Sequence, residues 1–406
     1  MTSDGYQGQA VKLLNATQKA YAVAFFFLPL SKALLFIALA IGFMLFVAGG
    51  GFTRALRAWR SLPWVWPAAM LAALPALSLL IHPASSKLVI HSEASYYWLI
   101  ALMVFLAASQ LPILPWLRAL LAGILVGFLY AQLPYKGWWP LDPPSLIANY
   151  ILYSQFLAIG VVLLSILYKY ETSKGIRAVY AAGMALFFFG LTSGMGRTGM
   201  WVVLVLLPFI ITNLFARQNR GKAALLCVLA SVALLMAPTV QKRIHDAASD
   251  MQLLQQNVTQ TSLGYRLEMW KTAWGVFRAH PLLGGGAAGF EAAWSSQPRG
   301  DEAKAFVEPH NAFLFYASFY GIFGLLALLW LYAALLLTGW RQRQRFEGRI
   351  VFAFALVLVL CSFTNTVFMG SVSRAWVMLF LGLQGALLYH CPAPLRAAGK
   401  VEASTA

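Results

Sequence analysis

Three basic side chains in this sequence are of the type and in the setting to work on an anion and a hydroxyl. Arg197 lies in Ser193-Gly-Met-Gly-Arg-Thr-Gly199, where one apolar run ends and the next begins. An arginine inside a bilayer costs about 2.5–3.5 kcal/mol at a helix centre and less near an end, so it normally has a partner or a task. Its place at the start of a helix adds free backbone N–H groups and the positive end of the helix dipole, which favour an anion. Snorkelling to the membrane surface also explains such a position. Arg266 offers a planar fork that fits phosphate oxygens in a way lysine cannot copy. A salt bridge to Glu268 or Glu291 is the competing reading. His310 follows Glu308-Pro309 and precedes Asn311 at the head of another apolar run. Imidazole changes charge near neutrality, so it can take a proton from a sugar hydroxyl, a task worth about 10²–10⁴ in rate. Arg374, in a short connection near the C-terminus, is a further candidate contact for acidic groups.

The elements that must position these residues are set by composition. Hydrophobic residues make up 60% and charged residues 11% of 406, with a mean hydropathy of +0.71. No soluble core hides that much apolar surface, so the chain reads as an all-α integral membrane protein. About twelve spans are expected, at 13–30, 32–50, 62–82, 96–109, 116–134, 147–168, 178–195, 198–216, 223–238, 310–338, 350–369 and 373–391. Pro29 and Ser31-Lys32 mark either a tight turn or a kink between the first two. The whole of 1–406 is then a single membrane domain, and the first apolar run is a retained helix, since no small-residue cleavage site follows it.

The net charge of +17 would point to nucleic acid in a soluble protein, but the basic residues cluster between apolar runs, where they set orientation. No nucleic-acid partner is expected. One set of alternate connections holds clusters such as Arg54, Arg57 and Arg60, Lys169, Lys174 and Arg177, and Arg341 to Arg349. The short loops of the other set hold only Lys32, Lys87, Lys136, Arg197 and Arg374. Both termini are therefore expected in the cytoplasm, with 239–309, between the ninth and tenth spans, as a large loop on the outer side. That loop carries seven basic and seven acidic residues, a balance that suits a folded, functional segment. Between Ser262 and His280, Trp270, Trp274 and Phe277 recur beside Arg266, Lys271 and Arg278, the pattern of an amphipathic helix at the membrane surface. It is either an interfacial anchor or the floor of a site for a lipid-linked substrate.

The outer loops have no DxD pair, no HExxH and no Cys/His cluster, so no metal or other cofactor is expected and arginines must neutralise any diphosphate. Cys227, Cys361 and Cys391 lack CxxC spacing and read as packing residues. His82, His280 and His390 read as structural, and His245 as solvated. Gly284-Gly-Gly-Ala-Ala-Gly289 matches GxGxxG but follows His280-Pro281 with no strand before it, so it reads as a flexible turn and not as a dinucleotide site.

These residues resemble the bacterial O-antigen ligases and their relatives, the O-antigen polymerases and protein O-oligosaccharyltransferases. His310-Asn311, nine residues, then Gly321-Ile-Phe-Gly324 is similar to the ligase pattern H-N-x9-G-x-x-G. Gly194-Met-Gly-Arg197 and Tyr265-Arg266-Leu-Glu-Met-Trp270, followed by His280-Pro281-Leu-Leu-Gly284, are similar to two other blocks. The resemblance implies a GT-C-type fold in the bacterial inner membrane with a periplasmic active site. It implies an undecaprenyl-diphosphate-linked polysaccharide as donor and lipid A–core as acceptor, joined by an inverting, metal-independent transfer. By motif, His310 would be the general base, Arg197 and Arg266 would hold the diphosphate, and Asn311 would lie at the substrate. The family usually has serine before the first arginine, where this chain has Gly196. A polymerase would use a growing glycan as acceptor. A protein O-oligosaccharyltransferase would use Ser or Thr, and usually carries an added outer domain. A lipid-linked sugar transporter would need paired charges near mid-membrane and basic groups reachable from both sides, neither of which is evident.

Overall fold

In the computed structural model the described residues are 3–50, 59, 62–82, 95–132, 150–193, 196–215, 217–236, 238–256, 258, 260–297 and 307–389. Among them the chain is helical throughout, in the order α1 (Ser3–Phe27), α2 (Lys32–Ala48), α3 (Val65–Ile81), α4 (Trp98–Ala108), α5 (Leu114–Gln132), α6 (Tyr150–Tyr170), α7 (Lys174–Ser193), α8 (Arg197–Leu214), α9 (Arg220–Met236), α10 (Pro238–Gln255), α11 (Ser262–Ala279), α12 (Gly286–Ser295), α13 (Ala312–Arg341), α14 (Phe346–Ser362) and α15 (Ser371–Tyr389). Each of the twelve apolar runs carries a helix, but not each is a full crossing by length and composition. Four qualify: Leu114–Ala131, Ile151–Tyr170, Lys174–Ser193 and Ala312–Arg341, with several shorter apolar helices beside them. The 11 residues of α4 reach about 16 Å, half the hydrocarbon thickness, because Ser109 and the turn after it stop the helix early. Arg54, Arg57, Arg60, Lys87, Lys136, His390, Cys391, Arg396 and Lys400, on which orientation and two minor readings rest, lie outside the described residues.

Pro29 and Ser31 mark a turn and not a kink. Pro29 ends α1, and the Ser31 hydroxyl caps α2 by accepting from Leu34 N–H. The helix α1 also starts ten residues before the expected span, at Ser3. Tyr21, toward its C-terminal end, stacks on Trp116 of α5 at 4.9 Å, which fixes this hairpin against the rest of the bundle.

Among the described residues, the segment 239–309 contains three helices, α10, α11 and α12, and two of them pack on α13. The expected helix over Ser262–His280 is α11, capped by the Thr261 hydroxyl on Gly264 N–H at 3.0 Å. Its buried side is Met269, Thr272, Ala273 and Val276, while Trp274 is 51% exposed. Trp270 and Trp274 therefore do not share one covered stripe. The smaller side chains turn inward because α11 must approach α13 and α12 closely.

The turn 280–285 is a packed joint, not the flexible turn expected from its glycines. Gly321 breaks α13 with φ 66° and ψ −156°, a region only glycine enters readily. The break exposes backbone groups that the turn satisfies: Ile322 N–H donates to Pro281 O and Gly285 N–H to Ser318 O, both at 2.8 Å. A Cβ on Gly321 would lie 2.1 Å from Leu282 O, and one on Gly284 (φ 71°) would lie 2.4 Å from Phe319 C. The two glycine-bearing motifs are thus the halves of one contact. Gly321→Ala is expected to destabilise the protein by about 3 kcal/mol or more, from a disfavoured backbone plus a clash. Thermal unfolding in detergent reads this as a lower midpoint and a lower folded yield; an unchanged midpoint would mean that the joint relaxes freely.

Candidate functional site

Pro309 and Asn311 set His310 at the mouth of α13. Asn311 is the helix cap: its side-chain oxygen accepts from Leu314 N–H at 3.0 Å, and its amide donates to Phe363 O at 3.2 Å. His310 itself has φ 50°, a left-handed conformation unusual for a non-glycine residue and often found where function requires it. Glu308 over-determines that conformation. One carboxylate oxygen accepts from His310 N–H at 2.7 Å, and the other lies 2.6 Å from His310 Nδ1. Glu308 is 8% exposed and also accepts a hydrogen bond from the Thr366 hydroxyl. With Nδ1 facing the carboxylate, Nε2 is the nitrogen positioned to take a proton.

Sequence reading named Glu308 only as a neighbour and missed its role, together with that of Thr366. The signal was an acid two residues before a histidine across a proline, a spacing that puts both on one short extended segment. Thr366 was hidden by an expected span of 350–369. Instead, α14 ends at Ser362, and Phe363 to Gly370 form a turn, as the run Ser-Phe-Thr-Asn-Thr should have indicated.

That turn gathers the candidates. Phe363 receives Asn311, Thr366 binds Glu308, and the Thr364 hydroxyl meets the Thr198 hydroxyl at 3.1 Å. Thr198 is the second residue of α8, so the N-terminus of α8 and its first residue, Arg197, are held beside the mouth of α13. The side chain of Arg197 is outside the described atoms. Gly196 caps α8 with no side-chain hydrogen bond. The Gly199 N–H is taken by the Ser154 hydroxyl at 3.2 Å, while a helix N-terminus as such favours an anion.

Arg266 comes to the same place along α11. Trp270, one turn further on the same face, donates its indole N–H to Pro309 O at 3.1 Å, so this face of the helix lies against the residue before His310. Arg266 is half-buried there. Arg374 is 2% exposed and donates from Nε to Phe368 O at 2.7 Å, with its guanidinium 5.7 Å from the Tyr97 ring. Burial sets it beneath the turn and not on the open face expected for a direct substrate contact. Among the described residues no group of three His, Cys, Asp or Glu side chains comes together.

A histidine held by a buried carboxylate, beside the N-terminus of α8, joins a candidate proton acceptor to a helix end that favours an anion. Residues 181–329 match the model of the O-antigen ligase family. The match takes in Arg197, Arg266 and the Glu308 to Gly324 stretch, while the 363–370 turn and Arg374 lie beyond it. No curated protein matches the chain.

Proposed function

We propose that this chain is an O-antigen ligase that transfers a polysaccharide from undecaprenyl diphosphate to lipid A–core. The observation that carries this reading is the Glu308–His310 pair at 2.6 Å, inside the matched segment. His310 Nε2 takes the proton of an acceptor hydroxyl, and the resulting oxygen attacks the anomeric carbon of the donor. The bond from that carbon to the diphosphate oxygen breaks, its electron pair stays on the diphosphate, and the sugar inverts. Diphosphate is already a good leaving group, so stabilising its charge matters more than protonating it. Arg197, Arg266 and the N-terminus of α8 supply that stabilisation. Asn311 keeps the mouth of α13 in register with the turn, and Arg374 acts through the turn it braces.

In this reading the apolar helices lie in the inner membrane with both termini in the cytoplasm, and 239–309 faces the periplasm. The charge count and the basic clusters support it. The test is reconstitution of the purified chain with lipid-linked glycan and lipid A–core in excess EDTA. Wild type is expected to ligate. Extension of the glycan in place of ligation would make the chain a polymerase, transfer to a Ser/Thr peptide a protein O-oligosaccharyltransferase, and movement of intact donor across the bilayer a transporter.

A further inference from the structure

The far end of α8 lies about 27 Å from Arg197 along the helix, the length of its 18 residues. There, α6, α7, α8 and α9 leave a groove of about 490 Å³, lined by apolar side chains that include Tyr168, Met184, Leu207, Ile211, Phe215 and Leu226. Its mouth is basic. The Arg177 guanidinium sits 4.3 Å over the Tyr168 ring, and Ala181, one turn along α7, lines the groove. Arg177 Nε is buried with no hydrogen-bond partner among the described residues, a loss of roughly 1–3 kcal/mol if nothing fills it.

The charge continues next to Tyr168. Lys169 donates to Thr212 O at 3.5 Å and lies close enough to Arg349 for the two to repel. Arg349 is 9% exposed and is held by the Asn213 side chain, the Thr212 hydroxyl at 3.3 Å, Arg343 O at 3.1 Å and the Tyr170 side chain. Among the described residues, none of Lys169, Arg177 and Arg349 has a carboxylate within ion-pair distance. Arg177 and Lys169, cations next to the lining residue Tyr168 at the end of an apolar groove, match a molecule with an anionic head and a hydrocarbon tail.

We propose that this groove binds an anionic phospholipid of the leaflet at that end, with its phosphate at Arg177 and Lys169 and one acyl chain along α7 and α8. The site is separate from the His310 face and does not depend on the transfer reaction. The phosphate completes the Arg177 donor set and balances a charge that the protein leaves open.

The test is lipid retention by the purified, delipidated full chain, read by native mass spectrometry with dioleoylphosphatidylglycerol or dioleoylphosphatidylcholine. Wild type is expected to prefer the anionic lipid by at least about fivefold, and Arg177→Gln and Lys169→Gln each to lose about fivefold of its binding. Both positions are at least partly exposed, so the variants should fold. Ala181→Phe, which fills the groove, is expected to reduce retention of either lipid. Equal retention of the two lipids by wild type would overturn the proposal. So would glycerol phosphate binding as tightly as the intact lipid, which would leave only an ionic patch. A polyprenyl phosphate that displaces phosphatidylglycerol at equal concentration would give the groove to a different lipid.

Discussion

His310→Ala is expected to lower ligation by about 10²–10⁴-fold while leaving the thermal unfolding midpoint in detergent nearly unchanged. The separation follows from how the residue is held. Its side chain is 30% exposed, so truncation opens no cavity in the core. Glu308 keeps its other partners, the residue-310 backbone N–H and Thr366, so no buried carboxylate is stranded. What disappears is the acceptor for the incoming hydroxyl's proton. Glu308→Gln tests the partner's part in the same event. The amide keeps the size and can still accept from residue 310 N–H, but it no longer offers a carboxylate to Nδ1, and a misoriented or wrongly tautomeric imidazole is a poor base. A fall in kcat of about 10²-fold, with little change in KM for the donor, is the expected pattern. A wild-type rate in His310→Ala would move the base elsewhere and remove the reason for Glu308's contact.

How much of this was legible in advance depended on the range of the signal. Apolar runs bounded by charges gave helices in the right places, because a segment that must bury its own backbone hydrogen bonds in lipid has few other options. Their ends were less secure. Nothing local distinguishes the 11-residue α4 from a full span, and the turn after Ser362 was read through because its threonines sit among aromatic residues. The candidate residues Arg197, Arg266, His310 and Asn311 were visible as polar groups at the edges of apolar segments. Glu308, Thr366 and the pairing of Thr198 with Thr364 were not, since each is a contact between stretches 2 to 166 residues apart that only the packed bundle defines. The glycines show the same limit. Gly284 and Gly321 were both noted within motifs, yet their shared cause, one backbone passing within van der Waals reach of the other, has no signature in either stretch alone.

Arg266→Lys is expected to reduce ligation by about 10²–10³-fold, the effect of removing one preorganised donor from a developing anion. Lysine retains the charge and is an equally good helix former, so α11 and its packing on α13 should survive. The Trp270 bond to Pro309 O holds the helix in register whichever residue stands one turn earlier. The loss then reports geometry: a planar fork presents two parallel N–H groups to a diphosphate, whereas an ammonium on a flexible stem presents a point charge that must be ordered at each turnover. Arg197→Lys should lose a comparable factor, since the N–H groups at the head of α8 remain but the paired donors do not. The exposed Arg278 on the same helix as Arg266 provides the control, and Arg278→Lys should keep the wild-type rate. Near-normal turnover in both Arg266→Lys and Arg197→Lys would return the two arginines to a structural role and leave the diphosphate without the partners this mechanism requires.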